Sequence, residues 1–128
     1  DWDINKWTQL ISSFPEYTFI EIGLIPILSG KNCISSLCGR LTFQDIAIVV
    51  KNCFLFIGID SSMAHFANGL EKPSLILTGK YGKFDKHMPY SGIADVPDFR
   101  VIQYPESVYE LPVSLVEEEV SILISGNE

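Results

Sequence analysis

Six consecutive residues, Phe54-Leu55-Phe56-Ile57-Gly58-Ile59, carry no polar side chain. A strand with one face in water alternates polar and apolar residues, so this run predicts a strand buried on both faces. Such strands belong to parallel sheets covered by helices on either side. Ser74 to Thr78 is a second short apolar strand, punctuated by Lys72-Pro73 before it and Gly79 after it.

The rest of the chain alternates helix-like and strand-like segments. Asp3 can cap a helix over Ile4 to Phe14, with Trp7, Leu10, Ile11 and Phe14 on one stripe and Pro15 as its stop. Tyr17 to Ile22 is aromatic and β-branched, ends at Gly23, and reads as a strand. Leu24 to Ser36 is interrupted by Pro26, Gly30 and Asn32, which predicts a loop with a short helical turn. Thr42 with Asp45 resembles a capping box opening a second helix, whose buried stripe would be Phe43, Ile46, Ala47 and Val50. A third helix is expected from about Ser62 to Leu70, then a polar loop from Tyr81 to Asp98, a strand from Arg100 to Tyr104, and a last helix from Pro112 to Ser125. In that helix Leu115, Val116, Val120 and Leu123 supply the buried side and Glu117-Glu118-Glu119 a solvated one. The order implies an α/β fold: a Rossmann-like, doubly wound parallel sheet with flanking helices, as a single domain over residues 1–128. The chain opens on a helix, in Asp1-Trp2-Asp3 without Met, so a fragment boundary and a missing first strand are expected.

Composition narrows the function. Sixteen acidic residues against nine basic ones give a net charge of -7, a poor basis for neutralising phosphates along a nucleic acid. Three cysteines without a C-x-x-C pair argue against a disulfide framework or a zinc site and fit a reducing cytosol. The two histidines, His65 and His87, lack metal-ligand spacing, so no metal and no cofactor is expected. No run of 18 apolar residues and no signal-peptide pattern occurs.

The chemistry is concentrated in Gly58-Ile59-Asp60-Ser61-Ser62-Met63-Ala64-His65-Phe66-Ala67, where the buried strand ends and a helix begins. Ligands of open α/β sheets bind at the carboxyl ends of strands, and free N–H groups at a helix start favour an anion such as phosphate. Small side chains at Ser61 and Ser62 allow close approach, and their hydroxyls add donors. On the residues alone two readings stand: a diphosphate cradle, or Asp60 and Ser61 acting only as a helix cap. His65 likewise reads as a site residue or a satisfied core histidine. Lys80, Lys83, Lys86 and His87 could neutralise phosphates or simply decorate a solvated loop.

Asp60 through Ala67 resembles the D-[ST]-G-x-x-H-x-A signature of glycosyltransferase family 9, the ADP-heptose:lipopolysaccharide heptosyltransferases. The flanks are similar too: Gly39-Arg40-Leu41-Thr42 leading through a helix to Ile57-Gly58, and Lys72-Pro73-Ser74-Leu75-Ile76-Leu77-Thr78-Gly79 after the signature. Trp2 and Trp7 resemble the tryptophan-containing helix that opens this half of the enzyme. The likeness covers roughly residues 1 to 90.

The resemblance implies the C-terminal, donor-binding half of an enzyme of two Rossmann-like halves, the GT-B fold. Asp60, Ser61 and Ser62 then match diphosphate and sugar contacts, Met63 and Ala64 extend the same helix start, and His65 braces the loop or reaches the donor. Leu41 matches an apolar position near the nucleobase, and Glu21 and Gly23 stand at a rim facing the ribose. Ser62 departs from the family's usual Gly, which matters if the site needs positive φ or very close phosphate approach there.

The implied donor is a nucleotide-diphosphate sugar, ADP-heptose by resemblance, and the acceptor a lipopolysaccharide-core or other glycan. The implied place is cytoplasmic, peripheral at the inner membrane in the full-length enzyme. No catalytic residue is expected in this chain, because the general base and acceptor site would lie in a preceding half. Two further readings remain: a non-catalytic nucleotide-binding module, and a receiver-like or structural α/β domain in which Asp60 only caps a helix.

Overall fold

The computed structural model describes residues 2–59, 66–67, 69–79 and 99–126. In chain order the elements are helix α1 (Ile4–Ser12), strands β1 (Phe19–Ile20) and β2 (Cys33–Ile34), helix α2 (Phe43–Asn52), strands β3 (Phe56–Ile59), β4 (Ser74–Thr78) and β5 (Phe99–Gln103), a 3-10 turn (Val108–Glu110) and helix α3 (Val113–Gly126). β1 and β2 form a two-stranded parallel sheet, and β3-β4-β5 a three-stranded one, parallel throughout.

β4 sits between its neighbours and is buried along its whole length. Its side chains alternate between two apolar layers. Leu75 and Leu77 join Trp2, Leu10, Leu111, Val116, Val120 and Leu123, which α1, α3 and their approaches supply. Ile76 joins Val50 of α2, Phe56 of β3 and Ala67. The apolar run through β3 follows the same rule, with Phe56 in one layer and Ile57 and Ile59 against the other. Helices on both faces of a parallel sheet are the arrangement the sequence predicts.

Polar groups fasten the helix ends. Asp3 caps α1 by accepting from the Asn5 N–H at 2.9 Å. At its other end the Asn32 side-chain amide reaches the carbonyls of Ile11, Phe14 and Tyr17, each at 3.0 Å, and so satisfies acceptors that a helix terminus leaves open. Thr42 and Asp45 form a reciprocal capping box on α2, as the sequence predicts. The ammonium of Lys72 donates to the carbonyls of Lys51 and Cys53, placing a cation at the C-terminus of α2, where the helix dipole favours it. The indole N–H of Trp2 donates to the Leu111 carbonyl at 2.9 Å, and the Trp2 ring meets Trp7 edge-on. Arg100 of β5 and Glu119 of α3 form an ion pair at 2.7 Å.

Three expectations need correction. Leu24 to Ser36 is a loop with a turn closed by the Cys33 N–H on the Gly30 carbonyl, but it also carries β2, a two-residue strand that the loop-like sequence hides because its ladder is the short one with β1. β1 is shorter than the predicted Tyr17–Ile22 because pairing lasts only while Cys33 and Ile34 run beside it. Phe43 and Leu115 are 63% and 42% exposed, so neither belongs to the buried stripe assigned to it. Both sit at the edge of their helix's apolar face, where spacing alone does not resolve the boundary.

Truncating Leu77, fully buried in the central strand, is expected to lower stability by about 2–5 kcal/mol in urea unfolding of Leu77→Ala. The Asp45 carboxyl is held below its ordinary value by hydrogen bonds from Thr42, first from its backbone N–H. A carboxyl depressed by folding adds stability that is present above its unfolded value, about 3.9, and is lost as pH falls through the lower folded value. The urea midpoint of Asp45→Asn should therefore vary less with pH across that acid limb than the parent's.

Candidate functional site

The carboxyl ends of β3 and β4 lie side by side, with Ile59 paired to Leu77. The residues of the signature, Asp60, Ser61, Ser62, Met63, Ala64 and His65, follow directly from Ile59 but lie outside the described residues, as do Lys80, Lys83, Lys86 and His87. The described flanks are a strand going in and a helix coming out. Phe66 and Ala67 are helical, Ala67 is fully buried against the α2 layer, and the Leu70 N–H donates to the Phe66 carbonyl. Glu71 ends that helical stretch in the left-handed region at φ 56, and Lys72-Pro73 leads straight into β4.

The turn before α2 lies close to this unit. Phe43, the first residue of α2, meets Phe66 with ring centroids 4.9 Å apart and the rings nearly perpendicular. That contact joins the Leu41-Thr42 turn to the residue immediately after His65. Leu41 itself is half-buried.

The rim after β1 is held by Glu21. Its carboxylate accepts from the Ile27 N–H at 3.0 Å, the Leu28 N–H at 3.2 Å and the Ser35 hydroxyl at 2.6 Å, so it braces the chain from residue 24 to 35. Gly23 offers its carbonyl to the Gly39 N–H at 2.7 Å, which brings the rim to within two residues of Leu41. A Cβ at Gly23 would meet nothing within 4 Å, so space does not demand glycine there. Gly39 is different: its φ is 73, and a Cβ would lie 2.6 Å from the Leu24 carbonyl oxygen. Gly79, at the end of β4, packs its α-carbon against backbone at Glu106 to Val108, where a Cβ would approach Val108 N to 2.5 Å.

Two thiols near these elements are subdued. Burial pushes the Cys38 thiol up, and the nearby Glu21 adds to this; burial also raises Cys53. Neither fits an activated nucleophile, which needs a lowered thiol pKa.

Gly23 is thus joined to Gly39, two residues before Leu41, and Phe43, two residues after it, packs against Phe66. Sequence reasoning missed the bracing by Glu21, the triple reach of Asn32 and the double contact of Lys72. A carboxylate placed just before an irregular apolar loop, and Asn between loop residues, were the available signals. Among the described residues no helix is long and apolar enough to cross a membrane.

The family model of glycosyltransferase family 9 (heptosyltransferase) matches residues 25–91, just over half of the chain. No curated protein matches. Among solved structures, that of E. coli ADP-heptose LPS heptosyltransferase II is similar, with a TM-score of 0.72 and 20% identity. The match covers 98% of this chain and 42% of that one, so the chain spans less than half the length of that enzyme. Identity at this level shows the shared fold.

Gly39→Ala is expected to cost about 1–3 kcal/mol in thermal unfolding, through strain at positive φ and displacement of Leu24. Glu21→Ala should free the Ile27 and Leu28 amides, so that both exchange with solvent at least tenfold faster while the β4 amides keep their protection.

Proposed function

This chain belongs to glycosyltransferase family 9, and we propose that it is the C-terminal, donor-binding half of a heptosyltransferase-like enzyme. The proposed donor is a nucleotide-diphosphate sugar, ADP-heptose in the first instance, and the proposed acceptor a lipopolysaccharide-core or other glycan. The full-length enzyme would act in the cytoplasm, peripherally at the inner membrane.

The observation that carries this reading is the position of the signature. Asp60 follows the last residue of β3, a strand packed on both faces in a parallel sheet, and the helix after it is seated by Ala67 and Phe66. A turn in that position offers free N–H groups at the carboxyl edge, which suits a diphosphate. Asp60, Ser61 and Ser62 contact the diphosphate and sugar, mostly through backbone N–H groups. Met63 and Ala64 belong to the same donor-binding segment. His65 braces the turn or reaches the donor. Leu41 packs near the nucleobase, a role supported by the Phe43–Phe66 contact beside it, and Gly23 stands at the ribose rim. Glu21 supports that rim from below through the hydrogen bonds it makes to the loop.

Sugar transfer needs the acceptor positioned against the donor, and stabilisation of the leaving diphosphate. The chain supplies the second and not the first, so by itself it should bind donor without turnover; the general base belongs to a separate acceptor half.

Calorimetric titration with ADP, UDP and GDP tests this. Saturable binding that favours one diphosphate is expected, and it should disappear in the Ser61→Asp/Ser62→Asp double variant, which sets negative charge in the cradle. Binding to none of the three, or equal binding by parent and variant, contradicts the donor-site reading and leaves Asp60 and Ser61 as a helix cap.

A further inference from the structure

The connection between β1 and β2 carries its apolar residues outward. Leu24, Ile25 and Ile27 are 87%, 74% and 52% exposed, and Pro26 between them is exposed too. Single exposed leucines are ordinary, but an unbroken crest of apolar residues is a patch that calls for a partner. Ile27 also borders an apolar groove between β1 and β3, whereas Leu24 and Ile25 do not line it.

Local hydrogen bonds hold the crest in place. The Glu21 carboxylate accepts from the Ile27 and Leu28 N–H groups, and the Ser35 hydroxyl donates to the Leu28 carbonyl at 3.0 Å. Pro26 has no N–H. From Pro26 to Leu28 the loop therefore offers no open backbone donor, a condition for any segment that enters an apolar medium. The root of the crest is fixed where the Gly23 carbonyl accepts from the Gly39 N–H at 2.7 Å.

Charge selects the partner. The chain has sixteen acidic residues against nine basic ones, yet residues 22–44 contain Lys31 and Arg40 and no Asp or Glu. Both cations are exposed. Arg40 follows Gly39 at the root of the crest, and Lys31 lies in the same β1–β2 connection. An apolar tip with cations behind it matches an anionic bilayer, whose headgroups attract the basic side chains while the tip sits at the boundary of headgroups and acyl chains. Three apolar side chains fall well short of the surface of about 800 Å² per partner that a stable protein–protein contact buries.

We propose that the Leu24–Ile27 crest docks this domain on an anionic lipid surface, with Leu24 and Ile25 at the acyl boundary and Lys31 and Arg40 among the headgroups. Such docking gives a surface to the peripheral placement proposed above. It needs no nucleotide, so a failed ADP titration leaves it untouched.

Co-sedimentation with phosphatidylcholine vesicles containing about one-third phosphatidylglycerol tests it. The chain should bind these about tenfold more strongly than vesicles of phosphatidylcholine alone, and added salt should shrink the difference. Leu24→Asp/Ile25→Asp should bind the anionic vesicles about tenfold more weakly while unfolding at the parent's temperature, since both side chains are in solvent. Lys31→Glu/Arg40→Glu should lose the preference for anionic lipid. Depth is read from Leu24→Trp, whose added indole should be quenched by acyl-brominated phospholipid beyond any quenching of Trp2 and Trp7 in the parent. Absence of vesicle binding, equal binding by the Asp double variant, or an unquenched indole overturns the proposal. A dimer in sedimentation that the Asp double variant disperses, without vesicle binding, would assign the crest to a second copy and overturn it too.

Discussion

Ser74 to Thr78 is hydrogen-bonded along both edges and hidden on both faces, and the other elements take their places from it. Leu75 and Leu77 collect α1 and α3 on one side, and Ile76 collects α2 and Ala67 on the other. A strand of five residues with no exposed face must be paired along both edges and covered on both faces, because water can satisfy neither its apolar side chains nor its ladder; here both neighbours are parallel and helices supply the cover. The carboxyl edge that results is a consequence of this burial: β3 ends beside β4, and whatever follows Ile59 is delivered to that edge.

The connections around the edge are held by polar side chains working at short range. Glu21 folds the loop after β1 back on itself, Gly39 lets the chain pass against Leu24, and the capping box on α2 sets where Leu41 stands. Lys72 ties the end of α2 to the approach of β4, so the helix after the signature and the helix before it are fixed to the same strand. The rim where Gly23 meets Gly39 is therefore fixed by contacts within the chain.

Elements with strong periodicity or unbroken apolarity were legible from the residues. β3, β4, α1, the start of α2 and α3 were read within about two residues of their ends, because helix and strand periods differ and because Thr42, Asp3 and Pro15 punctuate them. β2 was illegible: two residues inside a stretch holding Pro26, Gly30 and Asn32 have no period, and only the tertiary pairing with Phe19 and Ile20 makes them a strand. Of the candidate site, the flanks were legible: a buried strand before the signature and helical residues at Phe66 and Ala67 after it. Its supports were not, since Glu21, Asn32 and Lys72 act on backbone carbonyls and amides that sequence spacing does not locate.

The proposed donor site puts a nucleoside diphosphate at the carboxyl edge with its base beside Leu41. The most direct measurement is an isotope-filtered NMR experiment on the methyl-labelled chain with bound ADP. Contacts from the adenosine ring and ribose protons to the Leu41 methyl groups are expected, with amide shifts concentrated at Gly23 and at Asp60 to His65. Contacts confined to the groove between β1 and β3, or ADP contacts that leave Leu41 and Asp60 to His65 unmoved, would contradict it.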